Sequence, residues 1–235
     1  MKGAGRIGIR KGKTRDEHRT YRYNEKIKPV KGAEQIGIME KEELSVEARE
    51  AIREAVRVLR GGGVILYPTD TIWGIGCDAT NEAAVKRVFE IKHRPTSKAM
   101  LLLIDSDAKL PGLVREVPSI AYDLIDVAVR PLTLIYPGAR NVAPELIAED
   151  GSVGIRITRE PFSRALCRVA GVPLVSTSAN VSGEPSASCY AEISAEILQA
   201  VDYIVPVRQE EPSGAHASEI IAVGVDGSVK IIRKA

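Results

Sequence analysis

Four groups of polar residues in this chain have side chains that suit the binding of an anionic ligand. Thr69-Asp-Thr71 and Ser176-Thr-Ser-Ala-Asn180 each follow a short apolar run, and Lys92-His-Arg94 ends a helical stretch before Pro95. Arg156 occupies a predicted strand, at a position expected to face the polar side. Open α/β sheets bind ligands where such elements end. Arginine can hold a carboxylate or phosphate through two hydrogen bonds, whereas lysine acts as a point charge.

Each group, taken alone, also has a purely structural explanation. The stretch with Trp73 could be a hairpin or turn around one buried aromatic ring. Lys92 and Arg94 could form a solvated helix end that the helix dipole stabilises. The side chains of residues 176–180 could satisfy their own backbone in a turn, and Arg156 could be a surface charge. The residue pattern by itself leaves these alternatives open.

Several common catalytic motifs do not occur in the sequence. There is no GxxxxGK[ST] phosphate loop, no GxGxxG after a strand and no GxSxG nucleophile motif. The three histidines, His18, His93 and His216, are isolated and lack metal-ligand spacing. A nucleotide would therefore be held by scattered side chains, and no metal site made of protein ligands is predicted.

The composition is that of an ordinary soluble protein. The chain has 235 residues, of which 44% are hydrophobic and 27% charged, enough for one large domain or two small ones. Cys77, Cys167 and Cys189 are odd in number and form no CxxC motif, which favours small buried groups in a reducing cytosol. No secretory signal and no run of membrane-spanning length is evident. We therefore expect a cytoplasmic protein without a membrane partner.

The positive charge is concentrated in the first 31 residues. They contain eleven Lys and Arg against three Asp and Glu, a net charge of +8, which leaves −6 for the rest of a chain whose total is +2. Residues 1–40 also lack a sustained period, so we expect a basic, disordered extension. A solvated tail and an electrostatic contact with nucleic acid both explain this charge.

The pattern of apolar residues predicts alternating strands and helices over the first two thirds of the body and mostly strands after that. Helices are predicted from Ser45 to Gly61, from Asn81 to Ile91, over Ser119–Val129, from Pro161 to Gly171 and near Glu192–Gln199. Strands are predicted over residues 63–67, Ala99–Ile104, Leu132–Tyr136, Val153–Thr158, Leu174–Ser176, Tyr203–Pro206, Glu219–Val223 and Val229–Arg233, with a short one near Gln35–Met39. This order predicts a single α/β domain over residues 41–235, built on a twisted, mixed parallel and antiparallel sheet flanked by helices.

Five motifs together resemble those of the YrdC/Sua5/TsaC family of threonylcarbamoyl-AMP synthases. They are Tyr67-Pro-Thr-Asp-Thr-Ile-Trp-Gly-Ile-Gly76, Lys92-His-Arg-Pro95, Pro131-Leu-Thr133, Val153-Gly-Ile-Arg156 and Ser176-Thr-Ser-Ala-Asn180. They stand in the family's order and spacing, and the resemblance covers residues 45–235. It implies a YrdC-like domain in its short form, without the C-terminal Sua5 domain.

The resemblance also implies a reaction. ATP, L-threonine and bicarbonate would give threonylcarbamoyl-AMP and pyrophosphate, and a downstream threonylcarbamoyl transferase complex would modify adenosine 37 of tRNA. ATP is then a substrate, and Mg²⁺ is expected to be carried by the nucleotide. A carbamate formed from threonine and bicarbonate would attack the α-phosphate, and cationic side chains would offset the repulsion between the two anions.

The site residues are carried over by position. Lys92 and Arg94 match the family's KxR motif, are expected to be catalytic, and are expected to be exposed where the helix ends. Matches to threonine-binding positions are Thr69, Arg94, Arg156, Ser176 and Ser218. Matches to ATP-binding positions are Lys92, Ser152, Ser178, Asn180 and Arg233. Ala128-Val-Arg-Pro131 departs from the family's usual Trp-Pro-Gly-Pro, and Lys234-Ala235 from the Pro-Gly that usually follows the arginine.

Two other functions remain open from the sequence. One is a non-catalytic YrdC-like module that binds tRNA or double-stranded RNA, which the basic tail favours. The other is a related adenylate-forming enzyme that uses carbamoyl phosphate. That relative has a longer chain with CxxC zinc fingers, and such motifs are missing here.

Overall fold

A computed structural model describes residues 44–98, 100–211 and 217–234, all in one compact unit. The helices are α1 (Val46–Arg60), α2 (Glu82–Ile91), α3 (Leu110–Leu113), α4 (Ser119–Val127), α5 (Pro161–Ala170) and α6 (Ala195–Ala200). The strands are β1 (Ile65–Tyr67), β2 (Gly74–Gly76), β3 (Leu101–Ile104), β4 (Leu132–Tyr136), β5 (Val153–Ile157), β6 (Leu174–Ser178), β7 (Tyr203–Ile204), β8 (Glu219–Val223) and β9 (Val229–Arg233). The basic extension and the strand predicted near Gln35–Met39 lie outside the described residues.

The long helices begin and end where their capping residues predict. The Ser45 hydroxyl accepts a hydrogen bond from the Ala48 amide at 3.1 Å and begins α1. The Asn81 side chain caps α2 in the same way. Gly171 ends α5 at φ 77°, a left-handed conformation that suits glycine. None of the helices that the structure describes is long and apolar enough to cross a bilayer.

The described strands form one mixed sheet in the order β7-β1-β2-β6-β3-β5-β4-β8-β9. The pairs β1/β7, β3/β5 and β4/β8 are parallel, and the other neighbouring pairs are antiparallel. Helices flank this sheet, so the predicted α/β fold class is confirmed.

Some predicted boundaries differ from the structure. Strand β6 runs on to Ser178, two residues beyond the prediction, because Thr177 and Ser178 pair with Ile75 and Gly74 of β2. The helix predicted near Glu192–Gln199 is the shorter α6, preceded by a 3₁₀ turn over Tyr190–Glu192. The small polar residues of this segment favour turns over a long helix.

The two faces of the sheet are covered differently. One face is fully packed, since Leu102, Ile155 and Val175 join a large core cluster with residues of α2. On the other face α1 and α5 cover only part of the sheet, where Leu103 and Leu174 belong to a second cluster. Alternate residues of a strand point to the same face. The second face therefore has an open part beside its apolar part.

Candidate active site

A cavity of about 400 Å³ lies over the open part of that sheet face. Of the ten predicted site residues, eight line it: Thr69, Arg94, Ser152, Arg156, Ser176, Ser178, Ser218 and Arg233. Lys92 and Asn180 do not. Within the described part of the chain no Asp or Glu side chain lines this cavity, whereas three arginines do. Its electrostatics suit an anionic ligand.

Strand β6 shows how the sequence builds the cavity floor. Leu174, Ser176 and Ser178 are two residues apart and share a face. Leu174 packs under the helices, whereas the two serines line the cavity. A change from an apolar to a polar residue along one strand face marks the edge of the site.

The loop between β1 and β2 presents two threonine hydroxyls whose hydrogen bonds can be counted. Thr69 Oγ1 donates to the Ile72 carbonyl at 2.7 Å and accepts from the Thr71 amide at 3.0 Å. The Thr71 hydroxyl lies 3.0 Å from Thr69 Oγ1 and must be the donor, since the Thr69 proton is already used. The Thr69 hydroxyl is thus saturated within the protein.

Thr71 is better placed than Thr69 to bind a ligand through its hydroxyl. Its oxygen accepts from Arg156 Nη1 at 3.3 Å and keeps one lone pair without a partner among the described residues. Thr71 also lines the cavity. The sequence prediction named Thr69-Asp-Thr71 as a candidate group, but the family resemblance assigned a threonine-binding position to Thr69 alone. The two residues differ in the hydrogen bonds that their hydroxyl groups already make, and the sequence does not show these.

Arg156 is held by a buried ion pair. Its Nη2 lies 3.2 Å from Asp70 Oδ1, with side chains only 4% and 14% exposed. Burial raises the pKa of the Asp70 carboxyl, and the charge of Arg156 opposes that rise. Asp70, which the sequence prediction did not assign to the site, therefore fixes one end of the guanidinium. The remaining donors can serve a ligand.

On the far side of the cavity, Thr133 of β4 and Arg233 of β9 lie close to Ser218, which directly precedes β8. The hydroxyls of Ser218 and Thr133 lie 2.8 Å apart. Arg233 Nη2 donates to the Ser218 carbonyl at 2.8 Å, and its Nε donates to the same oxygen at 3.1 Å. This places the last predicted arginine at the cavity although β9 is an edge strand of the described sheet.

Lys92 and Arg94 diverge at the end of α2. His93 adopts a left-handed φ of 47°, which turns the chain between them. Arg94 lines the cavity and donates from Nε to the Lys98 carbonyl at 2.7 Å. Burial lowers the pKa of the Arg94 guanidinium. The two cations do not meet at one point of the cavity wall.

The expectation that Lys92 is exposed is wrong, because its side chain is 1% exposed. Its Nζ donates to the carbonyl of Asn180 at 2.6 Å and to that of Ser178. Burial, with a smaller effect of the nearby Arg94 charge, lowers the pKa of Lys92 to about 8. Helix periodicity could not show this, because the acceptors are carbonyls about ninety residues away along the chain.

Trp73, the single Trp of the chain, also lines the cavity. It is 3% exposed, and its ring centroid lies 5.1 Å from that of Tyr190. The structural explanation of this stretch is confirmed, since β1 and β2 form a hairpin with a buried Trp, and residues of the loop between them also line the cavity. Trp73 offers a fluorescence signal for ligand binding.

Known proteins resemble this chain at the level of family, sequence and structure. The model of the Sua5/YciO/YrdC family, whose description is "Telomere recombination", matches residues 57–235. A threonylcarbamoyl-AMP synthase of Stenotrophomonas maltophilia is 40% identical over 159 residues, which cover 64% of this chain and 83% of that protein. The synthase of Pseudoalteromonas translucida is 33% identical over 177 residues, covering 72% of this chain and 89% of its own.

Solved structures agree with this result. Sua5 of P. abyssi, complexed with L-threonine, superimposes with a TM-score of 0.67 at 27% identity over 77% of this chain. This chain spans 52% of the length of that Sua5. YciO of E. coli gives a TM-score of 0.69 at 26% identity, over 80% of this chain and 89% of its own.

Proposed function

Since this chain belongs to the Sua5/YciO/YrdC family, we propose that it is an L-threonylcarbamoyladenylate synthase. It joins L-threonine, bicarbonate and ATP into threonylcarbamoyl-AMP and releases pyrophosphate and water, the water being lost when the amine and bicarbonate form the carbamate. Curated relatives named threonylcarbamoyl-AMP synthase support this enzyme over a non-catalytic RNA-binding module. The product would pass to a threonylcarbamoyl transferase complex that modifies adenosine 37 of tRNA, and a cytoplasmic location is part of the same proposal.

One observation of the structure carries the proposal furthest. Arg94, Arg156 and Arg233 surround a single cavity whose wall also bears several hydroxyl groups. The reaction brings together a carboxylate, a carbamate and a triphosphate, so its cost is chiefly electrostatic repulsion and alignment. Three fixed guanidinium groups reduce the repulsion, and oriented hydroxyls help to align the substrates. No protein nucleophile is needed.

The roles of the residues follow from their partners. Arg156, held by Asp70, suits the carboxylate of threonine, and the lone pair that Thr71 keeps within the described part of the chain suits the amino group. Ser176 and Ser218 contribute further hydroxyls around the amino acid. Arg94, Ser152, Ser178 and Arg233 suit the phosphates and ribose of ATP.

Mg²⁺ would fit this site as a companion of the nucleotide. The described cavity wall offers hydroxyls and guanidinium groups but no carboxylate, and hard cations prefer oxygen anions. The triphosphate and water would therefore be its ligands. When bound, it would neutralise charge on the departing pyrophosphate, while the arginines hold the reacting oxygens in place.

The proposal is tested by incubating the protein with ATP, L-threonine and bicarbonate and identifying the product by mass spectrometry. We expect threonylcarbamoyl-AMP, with pyrophosphate release that requires all three substrates. Omission of each substrate is one control. A second control is Arg53→Ala, which removes an exposed arginine of α1 away from the cavity. Pyrophosphate release that is indifferent to threonine would refute the proposal.

A further inference from the structure

The loop after β6 is tied to the end of α2 at three points. Lys92 Nζ donates to the carbonyl oxygens of Ser178 and Asn180. The Lys92 carbonyl in turn accepts from the Ser182 amide at 2.8 Å. These contacts fix the path of residues 178–182 against a helix of the packed core.

The Asn180 side chain ties the same loop to itself. Its Nδ2 donates to the Val181 carbonyl at 3.0 Å and to the Glu184 carbonyl at 2.7 Å. An amide nitrogen has two hydrogens, so both donors are used within the loop. The side chain does not line the cavity.

The charge of Lys92 is balanced by backbone dipoles. The ammonium group is buried, and no carboxylate within the described part of the chain forms an ion pair with it. Two of its three hydrogens go to carbonyl oxygens. A neutral side chain of the same length would leave both carbonyls without that donor.

Ser178 connects this arrangement with the cavity. Its carbonyl accepts from Lys92, whereas its side chain lines the cavity beside Thr177 and Ser176. We infer that Lys92 and Asn180 are positioning residues of the proposed synthase, which act by holding the 178–184 loop and with it Ser178, rather than by contact with the substrates. The inference rests on the proposed function for its catalytic consequence and on the loop geometry for its mechanism.

Double-mutant cycles test this inference. Lys92→Met, Asn180→Ala and Ser178→Ala are each expected to raise the KM for ATP about tenfold, the effect of one lost hydrogen bond. If Lys92 and Asn180 act through Ser178, adding Ser178→Ala to either variant causes no further rise. Ser152→Ala is the matched control, since Ser152 lines the cavity from another segment. Its effect should multiply with that of Lys92→Met. If the effects of Lys92→Met and Ser178→Ala on the KM for ATP also multiply, the inference is overturned.

Amide hydrogen exchange provides a measurement that does not depend on turnover. Lys92→Met and Asn180→Ala should accelerate exchange at Ser182 and Glu184, while the Val85 amide in α2 stays protected. Unchanged exchange at Ser182 in both variants would overturn the inference. Should Lys92→Met fail to fold, Asn180→Ala carries both tests, because its side chain is half-buried and bonds only within the loop. A wild-type protein that makes no threonylcarbamoyl-AMP would refute the proposed function. Amide hydrogen exchange would still show whether Lys92 and Asn180 hold the 178–184 loop.

Discussion

At the scale of single residues, the site is a set of guanidinium groups that the protein has already oriented. Arg156 is fixed by Asp70 and Thr71, and Arg233 is fixed by the carbonyl of Ser218. A donor that is held in place before the substrates arrive loses little entropy and needs little reorganisation during the reaction. Guanidinium groups fixed in this way can accelerate the reaction between two anions without a protein nucleophile.

Arg94 tests the electrostatic contribution of the guanidinium groups to the reaction. Arg94→Ala should reduce adenylate synthesis by some hundred- to thousand-fold, or about 3–4 kcal/mol, by analogy with lost oxyanion donors. Arg94→Lys should restore only part of the rate, because lysine lacks the paired N–H donors with which a guanidinium group binds an anion in a bidentate manner. Synthesis rates and melting temperatures of both variants are the measurement. Near-normal synthesis in Arg94→Ala, or a loss that merely follows the melting temperature, would contradict the assignment.

Asp70 tests the orientation of Arg156. Asp70→Asn keeps an oxygen opposite the guanidinium but removes the charge that holds it, so the KM for threonine should rise about tenfold. The KM for ATP should change much less. Steady-state kinetics with each substrate varied in turn measures both values, and Asp123→Asn on the exposed side of α4 is the control. An equal rise in both KM values would point to a general loss of structure instead.

Lys92 gives a pH-dependent contribution to stability. Its pKa is about 8 in the folded protein, below the ordinary value of 10.5. Between these values the unfolded chain binds more protons, so the free energy of unfolding rises with pH, by at most about 3 kcal/mol. Urea unfolding at several pH values between 7 and 11 should therefore show a rise in wild type that Lys92→Met lacks. Parallel profiles for the two proteins would show that the lysine is not held as described.

The sequence predicted the chemistry of these residues better than their contacts. Eight of the ten predicted side chains do line one cavity, because polar residues at the ends of strands meet where the sheet is open. The saturation of Thr69 and the burial of Lys92 depend on carbonyl groups whose directions no residue pattern reveals. Asp70 lies within one of the family motifs, but the sequence does not identify it as the partner of Arg156, since the two are far apart in the chain.

At the scale of elements, the site depends on the close fit of β2 between β1 and β6. The sequence did not predict β2, because Gly-Ile-Gly has a poor intrinsic strand preference and pairs only through tertiary context. The glycines are needed for packing. A Cβ atom at Gly76 would lie 2.8 Å from Tyr67 Cε1 and 2.7 Å from the Val175 carbonyl oxygen. Caps and turns, in contrast, are local signals, and they predicted the ends of α1 and α5 well.

Gly76→Ala tests this fit. The added methyl group clashes with a backbone oxygen that cannot move freely, so we expect a loss of about 1–3 kcal/mol in the free energy of unfolding. Gly151→Ala is not a suitable control because of its positive φ, whereas Gly112 has open space around its Cβ position and a helical setting. Urea unfolding of Gly76→Ala and Gly112→Ala measures the difference. Equal stability of the two variants would show that β2 relaxes away from its neighbours.

At the scale of the whole molecule, the catalytic body and the basic extension carry opposite net charges. The body is a sheet with one fully packed face and one partly open face, and every predicted site residue lies between residues 69 and 233. The charge asymmetry is evident from the sequence alone. The residues that the structure describes begin at residue 44. The role of the extension is therefore a question of electrostatics, and it is testable apart from catalysis.

Deletion of residues 1–31 removes a net charge of +8. Because phosphate contacts release counterions, binding of tRNA should weaken at low salt, and the dependence of the logarithm of the binding constant on salt should become shallower. Adenylate synthesis should stay near the wild-type rate, since every predicted site residue lies between residues 69 and 233. A chain of unchanged length in which glutamine replaces the eleven Lys and Arg separates charge from length, and it should behave like the deletion. Loss of synthesis in either variant, with melting temperature unchanged, would place the extension in the catalytic site and contradict this division of roles.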